Sequence, residues 1–238
     1  MDSTAERRPR LPKLLVESLV IVGSILAAFG IDAAWEERNE REQEKALLES
    51  LIADFEAARR DLQRVLPIHE RIIGAAEQLT LPDRASIAAA HVDSLRQAVA
   101  YLLLDPTFDP PSGTVAAVLS SGRIDIIKNR ELVLELTQWS AVAQDFQEDE
   151  DRANGHLDST LYPMLLSSFN LKDVVPKDFI EFPALQREVG SFDVLLEDSV
   201  QSMLFRHWAY HMNATRSSAP LVLEAIDRVL RLLEESPA

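Results

Sequence analysis

The sequence predicts an all-α protein with one membrane-spanning helix at its N-terminus, and three observations carry that expectation. The 238 residues include only 7 glycines, and long stretches are built from Ala, Leu, Glu and Arg, whose side chains lose little rotamer freedom in a helix. Residues 14–35 (LLVESLVIVGSILAAFGIDAAW) are apolar on every side and flanked by charge, as a bilayer-crossing helix requires. Beyond them, Leu48, Leu51, Phe55, Ala58, Leu62 and Val65 recur at spacings of three and four, the coiled-coil-like seam of a packed amphipathic helix. The expected organisation is a basic tail (1–13), a transmembrane helix (14–35) and a helical domain (36–238). In that domain the span continues as a neck and first bundle helix (36–66), packs with further antiparallel helices, and closes on a long kinked C-terminal helix (198–236).

The flanks set the expected orientation. Arg7, Arg8, Arg10 and Lys13 precede the apolar run, whereas Asp32, Glu36, Glu37, Arg38, Glu40, Arg41 and Glu42 follow it. The positive-inside rule then keeps the N-terminus cytoplasmic and places the remaining chain outside, in the periplasm if the membrane is a bacterial inner membrane. A cleaved signal peptide shares the basic-then-apolar order. However, Glu17 interrupts the apolar core here, and the helical pattern runs past Asp32 without turn residues. A buried helix of a soluble domain fits poorly with a segment that is apolar all round.

The span is short. Residues 18–31, between Glu17 and Asp32, cover about 21 Å of a hydrocarbon core about 30 Å thick, which puts one or both carboxylates inside the apolar slab unless the bilayer thins. Glu17, Ser24, Ala28 and Trp35 share one helical face, and Gly23, Ala27, Gly30 and Ala34 form an adjacent strip of small residues. Such strips permit close approach of membrane helices. Two readings stand: the face packs on a second copy or another membrane protein, or Glu17 snorkels to the interface and the small residues are ordinary span composition. Asp32 and Trp35 are the expected interface anchors.

Two blocks of the chain resemble an uncharacterised bacterial family of single-span membrane proteins. The first is IVGSILAAFGIDAAWEERNEREQEKALLESLIADFEAARRDL (21–62), in which an apolar helix ends in Ile-Asp and Trp followed by Glu-Glu-Arg. The second is TVAAVLSSGRIDIIKNREL (114–132), with Ser120, Ser121, Gly122, Asn129 and Glu131 at its polar positions. The chain departs from the family pattern at Asp32-Ala33-Ala34-Trp35, where a Trp or Asn is expected one place earlier, and at Val133, where an Arg is expected. The resemblance implies single-span topology and an all-helical outer domain. It implies no activity.

Further along, Pro67 is expected to end or kink the first bundle helix near Leu66, with continuation through Ile72, Ile73 and Ala76 to a close at 80–83. Asp83 is a candidate N-cap for a helix reaching about Leu104 on Ala88, Val92, Leu95, Val99 and Leu102. Residues 105–113 (DPTFDPPSG) read as a turn-rich loop. Ser112 or Thr114 can cap a short helix ending at Gly122, and Asn129 can cap a helix from Arg130 to about Arg152. Cap chemistry therefore accounts for the polar residues of the second block; a functional version would use Arg123, Lys128 and Arg130 as a basic contact patch. The run Glu148, Asp149, Glu150, Asp151 fails as a calcium loop, because Ala153, Asn154 and Thr160 stand where ligand, glycine and Glu belong. It reads as a solvated helix end. Residues 161–169 read as core and 174–183 as a loop around Pro176 and Pro183. In the tail, Asp198 is a candidate cap, Val200, Leu204, Trp208, Val222, Ala225, Val229 and Leu232 form the stripe expected to be buried, and Pro220 should kink the helix near Arg216.

Little in the chain points to catalysis. Cysteine is absent, which removes thiol nucleophiles and Cys-ligated metals. The net charge of −15 opposes binding to nucleic acid. Only His207 and His211 have a spacing that chemistry uses, since i, i+4 imidazoles on one helical face can chelate a metal. His156 or Asp158 would have to complete the ligand set, and Trp208 stands where a hydrolytic His-Glu-x-x-His motif has its base. Such a pair more often lines a core edge with satisfied hydrogen bonds. No cofactor is expected. The leading expectation is a membrane-anchored helical protein acting by contact, as scaffold or accessory subunit of an envelope assembly, with the bilayer and a second copy or another membrane protein as partners. A small-molecule-sensing domain signalling through a partner is the alternative, and a metal-dependent enzyme using His207 and His211 is third.

Overall fold

The computed structural model describes residues 11–169 and 192–236, and every regular element among them is helical. The reading of 174–183 as a loop lies outside these residues. The chain divides into two units, Met1–Glu49 and Ser50–Pro237.

A single helix, α1 (Leu11–Thr80), runs through the boundary between them. In the first unit its apolar stretch is long and apolar enough to cross a membrane, with a mean hydropathy of 1.9 and none of it buried. All side chains from Leu15 to Trp35 are exposed, and Ser24 Oγ folds back to donate to the Val20 carbonyl at 2.8 Å. The charged neck that follows is laced by i, i+4 pairs, Arg38 with Glu42 at 3.1 Å and Arg41 with Glu37, a pattern that supports a solvated helix by a few tenths of a kcal/mol per pair.

In the second unit the expected seam of α1 is buried at every position from Leu51 to Val65, and Leu48 is buried ahead of it. Pro67 does not end the helix: α1 continues to Thr80, with Ile72, Ile73 and Ala76 in the core. The short α2 (Arg84–Ala88) is capped by Asp83, whose carboxylate accepts the Ser86 N–H at 2.9 Å. One continuous helix to Leu104 is not what forms. The chain turns after Ala88, and His91 caps a separate helix α3 (Val92–Leu102) by accepting from the Asp93 N–H. The turn lets both Ile87 and the α3 stripe (Leu95, Val99, Leu102) reach one core.

Helix α4 (Gly113–Ser121) ends at Gly122, the one residue with positive φ (71°) among those described, a conformation for which only glycine carries no Cβ penalty. Ser112 occupies its N-cap without a side-chain bond. After a 3₁₀ turn (Arg123–Ile126), Asn129 caps α5 (Arg130–His156) by accepting from the Glu131 and Leu132 N–H groups. α5 extends past Arg152 to His156 and passes through a π turn (Leu157–Leu161) into α6 (Tyr162–Ser168), whose Leu165 is in the core with Leu161 and Phe169. A second 3₁₀ turn (Phe192–Leu196) leads to α7 (Asp198–Asn213), for which Glu197 rather than Asp198 is the N-cap residue. A π turn (Ala214–Ser218) then joins α7 to α8 (Ala219–Glu234). Both π turns precede a proline, Pro163 or Pro220, that cannot donate to the fourth preceding carbonyl, and the widened turn is where each helix absorbs that loss. The expected kink near Arg216 is thus a π turn that contains it.

α5 is the central element of the second unit and packs on both α7 and α8. Its buried stripe, Leu132, Leu136, Trp139, Ala143, Phe146, Glu150 and Ala153, meets α1 through a Phe55–Trp139 ring contact at 4.9 Å. The stripe of α7 (Val200, Leu204, His207, His211) and that of α8 (Val222, Ile226, Val229, Leu233) are buried as well.

Candidate functional site

The buried stripe of each of three helices carries an ionisable residue where an apolar one is the norm, and the three interruptions meet. On α1 the seam Val65, His69, Ile72 puts a histidine in the core. On α5 the seam Phe146, Glu150, Ala153 does the same with a carboxylate, and on α7 Leu204 is followed by His207 and His211. His69, His207 and His211 are fully buried and Glu150 is 2% exposed. The reading of 148–151 as a solvated helix end is therefore corrected: Glu148 and Asp151 are exposed, but Asp149 and Glu150 point inward.

The two inward carboxylates do different work. Asp149 accepts from Arg152 Nη1 at 2.6 Å, Asn213 Nδ2 at 2.7 Å and the Ser218 hydroxyl, and so ties α5 to both ends of the second π turn. Glu150 reaches the 103–112 segment as well as His69. Its Oε2 accepts the Phe108 N–H at 2.7 Å, and its Oε1 lies 2.9 Å from His69 Nε2. The proline-rich segment has no regular partner for its backbone, and side chains from two helices replace one. Asp61 accepts the Asp109 N–H, Arg64 donates to the Thr107 carbonyl, Gln147 to that of Phe108 and Asn154 to that of Pro106. Phe108 is thereby fixed edge-on against Phe146, with ring centroids 5.5 Å apart.

From Glu150 a chain of hydrogen bonds runs back through α1 to α7. His69 Nδ1 and His211 Nδ1 are 2.8 Å apart, so one must donate and the other accept. With Glu150 accepting from His69 Nε2–H, the neutral arrangement has His211 Nδ1–H donating to His69 Nδ1, a tautomer assigned from pairing. His211 Nε2 is then an acceptor. It has no partner, and His207 faces the Leu102 carbonyl of α3 without a hydrogen bond of full geometry. The rings of His207 and His211 meet edge to face, 4.5 Å between centroids, and His156 lies 6.0 Å from His207. His156 Nε2–H donates to the Met203 carbonyl at 3.1 Å. The expectation that the pair lines a core edge is accordingly corrected, since both rings are fully inside, and His211 Nε2, buried without a partner, costs about 1–3 kcal/mol.

Burial sets the protonation of the cluster. It pushes His207 down to about 3 and His211 down to about 2, helped by the neighbouring imidazoles, because a charged ring in a medium of low polarity loses its hydration. Burial also lowers His156 and raises Glu150, the latter offset in part by the His69 and Phe108 hydrogen bonds. The imidazole pair is neutral at neutral pH.

The other sequence-derived positions fall elsewhere. Among the described residues no three metal-ligating side chains converge on one point, and Asp158 is exposed. Glu17, Gly23, Ser24, Ala27, Ala28, Gly30, Asp32, Ala34 and Trp35 are all exposed on α1, with open space where a Cβ on Gly23 or Gly30 would stand. Ser121 Oγ donates to the Ala117 carbonyl at 2.6 Å and Ser120 Oγ to the same carbonyl at 3.3 Å. Asn129 Nδ2 donates to Ser236 Oγ at 3.1 Å, and Glu131 is exposed. That block terminates one helix and starts the next.

Sequence reasoning missed His69 and Glu150. The signal was the spacing itself: His69 continues the α1 seam four residues after Val65, and Glu150 lies four after Phe146. Comparison of the chain with protein-family models, with curated proteins and with solved structures returns no match.

Proposed function

We propose that the chain is a single-pass membrane protein whose helical domain acts by contact, as a scaffold or accessory subunit of an envelope assembly, with its N-terminus cytoplasmic and its domain outside. The observation that carries this reading is the naked apolar surface of α1. Leu19 is 76%, Phe29 66%, Ile31 69% and Trp35 74% exposed, and a helix of that composition finds its most favourable surroundings in hydrocarbon. The orientation rests on the basic tail and the net acidic neck. The resemblance of 21–62 and 114–132 to single-span proteins supports the same topology. An assembly role is supported by the strip Gly23, Ala27, Gly30 and Ala34, which leaves room for a second helix at close range.

Membrane fractionation with alkaline extraction tests the anchor, and protease protection in spheroplasts tests the orientation. The full-length protein should remain in the pellet, with its domain cleaved only from outside. Crosslinking in membranes tests the contact role: adducts should form with a second copy or another membrane protein, and Gly23→Leu with Ala27→Leu should reduce them. Recovery of monomer alone, before and after crosslinking, would overturn the contact role and leave the anchor standing.

A further inference from the structure

We propose that the buried cluster of His69, His207, His211 and Glu150 is a proton-operated latch that holds α7 on α1 and releases it on acidification. Independently of any membrane, the packing of three helices converges here on ionisable groups. Of the α7 pair, His211 makes the hydrogen bond that crosses to α1, while His207 faces the Leu102 carbonyl of α3. A proton arriving at His211 Nε2 or at His207 creates a charge with no carboxylate beside it, because Glu150 is engaged with His69 and the Phe108 amide. The two rings are in contact, so charging one opposes charging the other while the core is closed. Opening α7 hydrates both.

The groups facing the pair are few. α1 presents His69, α3 the Leu102 carbonyl, and α5 His156 and Glu150, with Asp109 acting on Glu150 from the loop. α7 itself contributes Arg206 near His156, and Tyr210, whose ring lies 5.6 Å from that of His156. Beside the latch, α7 shares an apolar core with α1 through Val200, Leu204, Ile72 and Leu79, and two hydrogen bonds flank it: Trp208 Nε1–H donates to Glu77 at 3.1 Å and Gln201 to the Leu79 carbonyl at 2.8 Å.

The sign comes from linkage. His156, His207 and His211 are held below the 6.5 of a free imidazole, so the open state takes up protons first, and the closed state loses ground as pH falls below about 6.5. Glu150, raised above 4.5, works in the opposite direction, one carboxyl against three imidazoles.

Hydrogen exchange of the full-length protein in detergent, corrected for intrinsic rates, tests the latch. Going from about pH 7.5 to about pH 5 should accelerate the amides of Asp198–Asn213 at least about 30-fold, the opening expected from one imidazole freed to titrate, while α8 stays protected. His207→Met removes the ring that faces the Leu102 carbonyl and leaves the His69–His211 bond in place; it should cut that acceleration, and His91→Gln, at an exposed histidine, should not. No acceleration in α7, equal acceleration throughout the domain, or full acceleration in His207→Met would overturn the proposal. If His207→Met does not fold, ¹⁵N titration of the wild-type imidazoles decides. Signals of His207 and His211 that remain neutral at about pH 5 in the closed form support the latch; titration of both near 6.5 overturns it.

Discussion

Two stretches of α1 invert each other. Between Leu15 and Trp35 large apolar side chains face outward with nothing on them, whereas from Leu51 to Leu79 the apolar face is covered and a histidine is sealed in with it. The helix is the same, and the difference lies in what surrounds it. In the first stretch no stripe is distinguished from another, so the whole cylinder asks for one apolar medium. In the second, a seam of period three and four selects one face and leaves Arg59, Arg60 and Arg64 on the others. A polar residue on such a seam has no water to turn to and must find a partner from another helix, and His69 does so twice, with Glu150 and His211.

The contrast can be broken from either end. The largest effect is expected inside. Glu150→Ala leaves His69 Nε2 and the Phe108 amide without their acceptor, and at about 1–3 kcal/mol for each stranded donor should lower the denaturation midpoint markedly. Glu150→Gln, which keeps an acceptor oxygen, should cost clearly less. In the outer stretch, Ile25→Arg places a charge near the middle of the proposed span and should oppose insertion by about 3 kcal/mol, read as loss from the membrane pellet with the domain still folded by circular dichroism. Equal effects of both changes on domain stability would contradict the division. The smallest effect belongs to the neck. Arg38→Ala removes the Arg38–Glu42 pair, which is exposed on both sides, and should change stability by less than about 0.5 kcal/mol. A larger loss would mean that Arg38 makes a contact beyond Glu42.

Much of this architecture was legible in the residues. Gly122 ends α4, Asn129 begins α5 and Asp83 caps α2, because capping depends on a few atoms within one turn. Pro220 is flagged by a missing N–H, and the π turn before it is the local response. Where the reading failed, the deciding contact was distant in sequence. The acidic run 148–151 looks uniform as text, yet only Asp149 and Glu150 are turned toward the helices that need them. The break between α2 and α3 is set by the core that Ile87 and Leu95 share, since nothing at 88–92 forbids a continuous helix.

Composition and period along the chain suffice for a helical protein, an apolar cylinder at residues 15–35, a seam from Leu48 onward, and the caps. Those features arise from rotamer entropy, hydrophobicity and turn-scale hydrogen bonding, each a property of neighbours along the chain. The meeting of His69, Glu150, His207 and His211 belongs to the folded domain alone. Each occupies a helical position that spacing identifies, but their convergence depends on how far each helix slides along the others. That register is fixed by the packing of all the side chains around them.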